Sequence, residues 1–303
     1  GVSVTMSCLM PLQNHSGTRF RLGVKRTDSI LEPCPYHAGR GDDLESVGFQ
    51  TDTVVTNCHS EAIRRETGAV ALWRLGQFPP GEKVVVIIPF VPGRDELLGL
   101  PTTGDEYLPE FITQGELPHP WRAVVKRCVM IRADGRVRGK VGLPSKRCKG
   151  RVGSLDLTRN LLTLVDFDHN PEMEYVCSHW KRQDNPYEGE AISVYTDGPD
   201  HAGGKPGSFY ELETLSSAMF LQPGQSSSHR NRTFHIRGSR TALNSICRRF
   251  LGADWAAAAE FAEEEHLPQG RSERKDRAET SVNRGRPNET GRHGAKSGSR
   301  RDH

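Results

Sequence analysis

Hydrophobic and polar positions alternate in short runs along most of this chain. Residues 2–12 alternate loosely, Asn14-His15-Ser16-Gly17 is turn-like, and residues 20–27 alternate cleanly, which predicts a hairpin with one buried face. Residues 47–56 and 69–78 are further strand candidates. Residues 83–90 form an unbroken apolar run, suited to a strand buried on both faces. Residues 122–131 predict one strand ending in a turn at Ala133-Asp134-Gly135. A second hairpin is expected from residues 153–156 and 161–167 around Thr158-Arg159-Asn160. Residues 191–195 and 209–214 read as strands on either side of a Gly- and Pro-rich loop, and a last strand ends at Arg232-Thr233-Phe234-His235. Helix is predicted only over residues 242–251 and over 255–266, where Ala and Glu dominate. Short strands punctuated by Gly, Asn and Pro make an all-β antiparallel sandwich the expected fold.

Composition refines this picture in three ways. Residues 269–303 carry ten Lys or Arg against five Asp or Glu, which leaves −2 of the overall +3 for everything before them. A near-neutral body gives little support for nucleic-acid binding by a basic face, and no apolar run is long enough to span a membrane. The chain therefore divides into a sandwich over 1–252, a helix over 253–267 and a basic tail over 268–303 expected to be disordered. Seven scattered cysteines with no Cys-x-x-Cys spacing argue against a zinc ribbon and for buried free thiols.

Candidate chemistry gathers late in the chain. In a strand over 209–214, Glu211 and Glu213 project to one face, and Tyr210 and Leu212 to the other. Two adjacent carboxylates repel, so one holds its proton to higher pH than a lone Glu would. The same spacing also fits a solvated strand face. His179, His201, His229 and His235 are the nearby imidazoles, and His229 and His235 would share a face of one strand. Trp180 beside His179 offers a ring for stacking, and Asp184-Asn185-Pro186-Tyr187 forms a polar turn. Glu211, Glu213, His229 and His235 could also form a carboxylate-and-imidazole metal set, although no His-x-His pair accompanies them.

Several separated segments carry a resemblance: Trp73-Arg74-Leu75-Gly76-Gln77-Phe78, Ile87-Ile88-Pro89-Phe90, Asp184-Asn185-Pro186-Tyr187, Phe209-Tyr210-Glu211-Leu212-Glu213 and Leu221-Gln222-Pro223-Gly224-Gln225. In this order they resemble an uncharacterised bacterial family with galactose mutarotase-like (aldose 1-epimerase-like) sandwich character. The resemblance implies a carbohydrate ligand, no cofactor and an extracytoplasmic setting. By it Glu213 would be the general base that takes the anomeric hydroxyl proton, with Glu211 beside it. His229 would be an acid candidate, although no imidazole here sits in a mutarotase His motif. Asp184, Asn185, Tyr187, Trp180, His179 and Tyr210 would be binding candidates. Family members carry strands ahead of the segment matching residues 3–26, so the chain is expected to lack the N-terminal part of the sandwich. Three readings follow: a sugar isomerase, a non-catalytic carbohydrate-binding sandwich, or an interaction module that shares only the fold.

Overall fold

The structure, a computed structural model, describes residues 1–32, 34–37, 44–102, 120–178, 184–199 and 205–264. Strands β1 (Ser3–Gln13), β2 (Arg19–Leu31) and β3 (Leu44–Asn57) open the chain. β4 (Trp73–Phe78), β5 (Val84–Pro89) and the short helix α1 (Asp95–Leu98) follow. Then come β6 (Arg122–Val125), β7 (Cys128–Arg132), β8 (Gly139–Pro144), β9 (Arg151–Asp156) and β10 (Leu161–Phe167). β11 (Glu190–Thr196), β12 (Tyr210–Leu215), β13 (Ser226–Gly238), α2 (Arg240–Phe250) and α3 (Trp255–Glu263) complete the described elements.

Two antiparallel sheets result. The large one runs β1-β2-β3-β13-β10-β9-β5-β7-β6 and the small one β4-β12-β11-β8. Alternation along the central strands of the large sheet feeds two separate cores. Val86, Ile88, Val129, Ile131, Val152 and Val165 face the small sheet and meet Val141, Leu143, Ile192, Val194 and Leu212. Val85, Ile87, Met130, Leu162, Leu164, Phe234 and Ile236 point the other way, onto α2 and α3. This arrangement explains the unbroken apolar run of β5: all six of its residues are buried, because the sheet is covered on both sides. The expected sandwich is thus present, with a helical layer added outside the large sheet.

Both helices start on the signals their sequences provide. Ser239 accepts from the Ala242 N–H at the start of α2 (3.3 Å), and Asp254 accepts from the Ala257 N–H at the start of α3 (2.9 Å). Trp255, Ala258 and Phe261 bury the inner stripe of α3 against α2 and the sheet. The segment beyond residue 264, including the expected tail, lies outside the described residues.

One strand reading is corrected and one strand was missed. Residues 122–131 are not one strand: the chain turns back at Lys126 and Arg127, and β6 pairs with β7 with Val125 opposite Cys128. β8 was not legible in the sequence. Its Gly-Lys-Val-Gly-Leu-Pro run has too few β-formers, and it becomes a strand because Val141 and Leu143 are buried against the large sheet. A Cβ at Gly139 would fall 2.6 Å from the Trp121 ring, so the strand enters the core only with glycine there.

The hairpin turn at Asn160 (φ 51°) and the turn at Gly135 (φ 76°) stand where the sequence puts them. Cys34, Cys128, Cys148 and Cys247 are buried thiols, as expected. Among the described residues no helix is long and apolar enough to cross a membrane. The expected hairpin of β1 and β2 forms, but its expected buried face is absent from β1, which is exposed along its whole length and among the described residues pairs with β2 alone.

Gly48 on β3 packs directly under Phe234, and a Cβ there would stand 2.5 Å from that buried ring. Gly48→Ala is expected to destabilise the protein by about 1–3 kcal/mol through overpacking, measured as a lower midpoint in urea with an unchanged slope.

Candidate functional site

The small sheet has two chemically distinct faces, and register assigns every residue to one of them. On β12, Tyr210, Leu212 and Thr214 point toward the large sheet. The Tyr210 hydroxyl shares a hydrogen bond with the Ser154 hydroxyl (2.7 Å), and the Asn231 amide donates to Thr214 Oγ1 (2.8 Å). Glu211 and Glu213 share the opposite face, as the alternation predicts, and therefore point outward. Tyr195 and Gln77 stand on either side of Glu211 in the ladder, and Ser193 and Leu75 on either side of Glu213. Lys140 is opposite Tyr195 on β8.

Glu213 is the centre of this outer face and is fully buried (0 % exposed). Its Oε2 accepts from the Trp73 indole N–H at 2.8 Å and from the Lys140 ammonium at 3.0 Å. The same ammonium lies 4.5 Å from the centre of the Trp73 ring, so the three side chains form a closed triangle. The other carboxylate oxygen, Oε1, has no hydrogen-bond partner among the described residues, and neither has the Ser193 hydroxyl on the neighbouring strand. Glu211 Oε1 accepts from the Gln77 amide at 2.9 Å. Gln77 and Leu75 on the β4 edge are exposed, so this edge is where solvent approaches the face.

Burial pushes the Glu213 carboxyl up to about 7. The Lys140 ammonium opposes that rise through its charge and its hydrogen bond, and the charge of Glu211 adds to it. Near neutral pH Glu213 is thus poised to take or give a proton. Burial also raises the Tyr195 hydroxyl to about 12, despite Arg138 nearby, so it remains a phenol that can donate.

Other sequence candidates separate from this cluster. Tyr210 is a core residue on the opposite face of β12, so it does not flank a ligand held by Glu211 and Glu213. His229 does not face them either. It lies on β13 of the large sheet, pointing inward against Phe167 (5.9 Å between ring centres), and burial lowers its pKa to about 4. His235 shares that inward face, as expected, and accordingly lines a cleft of about 370 Å³ between the sheets with Arg74, Phe78 and Thr233. With both imidazoles turned to the far side of the small sheet, the carboxylate-and-imidazole metal set is not assembled. No group of three His, Cys, Asp or Glu comes together among the described residues.

Asp184 and Asn185 are exposed in a turn closed by Glu188 N–H to Asn185 C=O (3.3 Å). Tyr187 docks that turn on the segment before β4: its hydroxyl donates to the Arg65 carbonyl (2.8 Å), and the Arg65 guanidinium lies 4.7 Å from its ring centre. His179, Trp180 and His201 lie outside the described residues.

Sequence reasoning missed Lys140, Trp73 and Gln77 as partners of the two carboxylates, and Ser193 and Tyr195 as their neighbours in the ladder. Odd-numbered spacing along β4 could have flagged Trp73 and Gln77. Lys140 gave no signal, because β8 itself was not recognisable.

Residues 1–261 match the sequence pattern of the family of unknown function DUF6786. The chain belongs to this family. Among curated proteins, none matches. Solved structures similar to this DUF6786 chain include a putative aldose 1-epimerase from Escherichia coli K12, 11% identical over 78% of this chain and 66% of that one, with a TM-score of 0.43. The Slr1438 protein from Synechocystis sp. PCC 6803 is 13% identical over 78% of this chain and 61% of its own length, with a TM-score of 0.39. A putative aldose 1-epimerase from Klebsiella pneumoniae is 9% identical over 85% of this chain and 67% of its own, also at 0.39. The chain spans less than two thirds of the first two of these proteins.

The Glu213 carboxyl also sets a pH dependence. Its folded pKa is raised above the ordinary 4.5, so the folded state binds the proton more tightly than the unfolded chain. The associated stability is fully present below about 4.5 and is lost as pH rises through about 7. Glu213→Gln is expected to reduce the fall in melting temperature between those two pH values, measured by calorimetry on both proteins.

Proposed function

We propose that this chain acts on a carbohydrate as a mutarotase-like isomerase, with Glu213 as the general base. The observation that carries the proposal is the buried Oε1 of Glu213, which has no hydrogen-bond partner among the described residues, beside the equally unpartnered Ser193 hydroxyl. Buried polar atoms are ordinarily satisfied, and an acceptor next to a hydroxyl is what an incoming sugar hydroxyl would pair with.

The chemistry asks little of the protein. A base removes the anomeric hydroxyl proton while the bond between the anomeric carbon and the ring oxygen breaks, and an acid protonates that oxygen. The open aldehyde rotates and the ring closes on its other face, with both protons returned. A carboxyl titrating near neutrality serves both directions of this transfer, because it is neither too weak a base nor too weak an acid. Lys140, 3.0 Å from Glu213, is the proton donor in this scheme, and Glu211 with Gln77 would hold a further hydroxyl from the β4 edge.

A second reading has its own observation. Among the described residues no imidazole shares the face with Glu213, which favours a binding sandwich that grips hydroxyls without acid-base exchange. Polarimetry separates the two. Catalysed mutarotation of an aldose by the wild-type protein, reduced about 100-fold or more in Glu213→Gln, supports the isomerase. Sugar-dependent rises in melting temperature with no rate enhancement support the binding sandwich. Neither effect across a panel of aldoses, in a well-folded protein, overturns both.

A further inference from the structure

A concavity of about 600 Å³ opens on the far side of the large sheet from Glu213, where the C-terminal end of α2 meets two turns between strands. It is lined by Arg127 of the β6–β7 turn, Lys149 and Arg151 before and at the start of β9, Arg248 and Arg249 of α2, and the carboxylate Asp254. Five cations thus converge against one acid, in a body whose net charge is close to zero.

Part of this charge has a local explanation. Arg248 and Arg249 stand in the last turn of α2, where cations complement the helix dipole. Arg151 also reaches Asp166, at 3.3 Å. Asp254 is committed as the cap of α3. Arg127 and Lys149 have no such account. Both are exposed, and the Lys149 ammonium is lowered by burial and then by the charges of Arg127 and Arg151. The fold thus holds Lys149 close enough to Arg127 and to Arg151 to be repelled by both.

The floor is also arranged. The Phe250 ring has the Arg151 guanidinium 5.2 Å and the Arg249 guanidinium 5.1 Å from its centre, which restrains two of the five cations before any ligand arrives. Pro89 and Phe250 add an apolar surface to the same concavity.

We propose that this cleft is a binding site for a small polyanion, a compound carrying at least one phosphate or sulfate group and a short organic body that rests on Phe250. Arginine forks suit tetrahedral oxyanions, a bound dianion relieves the repulsion of Lys149 by Arg127 and Arg151, and the volume of the concavity is in the range of small-molecule sites. The site is separate from the outer face of the small sheet and does not depend on the function proposed for Glu213.

Pyrophosphate, inorganic phosphate and sulfate are the probes, titrated calorimetrically at fixed ionic strength into the full chain. One site is expected, tightest for pyrophosphate, and the Arg127→Gln/Lys149→Gln double variant should bind it at least about tenfold more weakly. Both substituted side chains are exposed, so the variant should keep the parent melting temperature. Glu213→Gln should bind pyrophosphate as the wild type does, which assigns the binding to this cleft. No pyrophosphate binding, or binding undiminished in the double variant, overturns the proposal. Displacement of pyrophosphate by a short single-stranded oligonucleotide at lower concentration also overturns it, because it would make the cleft part of a polymer track.

Discussion

Everything at the candidate site depends on how β12 is anchored. Tyr210 to Ser154 and Asn231 to Thr214 are hydrogen bonds made across the gap between the two sheets, and Leu212 packs between them. These three inward contacts fix the strand's register and its roll about its own axis. A side-chain period of two then leaves Glu211 and Glu213 no choice of face. A slip of one residue would turn both carboxylates into the apolar core between the sheets, away from Lys140, Trp73 and Gln77, and leave them as unpaired buried charges.

Held there, Glu213 is pulled in two directions. Removal from water favours its neutral form, while Lys140 and the Trp73 N–H favour the carboxylate. The ion pair is buried, where desolvation can exceed the Coulombic gain, so it is poor evidence for stability. Its effect is to offset part of the rise that burial imposes and to fix one carboxylate oxygen, while the second has no partner among the described residues. The positive cleft beside α2 follows a different logic. There two turns and the end of α2 bring like charges together, and its cations come from three places in the sequence. The large sheet separates the two sites.

Much of the fold was readable from local pattern. The alternating runs of β1 to β3, the continuous run of β5, the hairpin at Asn160 and both helices follow from side-chain period and turn chemistry. The shared face of Glu211 and Glu213 follows from the same period, and so does that of His229 and His235. β8 escaped because its strand character comes from neighbours rather than from its own Gly-rich run. The hairpin at Lys126-Arg127 escaped because two charged residues in an apolar stretch carry no turn signal.

Sequence alone determined which residues travel together on one strand, because that is a matter of period and needs no partner. It could not decide which strands lie side by side or which way a sheet faces. His229 is near Glu213 in the chain, yet the pairing of β13 with β3 and β10 puts it in the other sheet, turned toward the core. Lys140 is 73 residues from Glu213 in sequence and 3.0 Å from it in space. That contact exists because β8 pairs with β11, a long-range choice made by burying Val141 and Leu143.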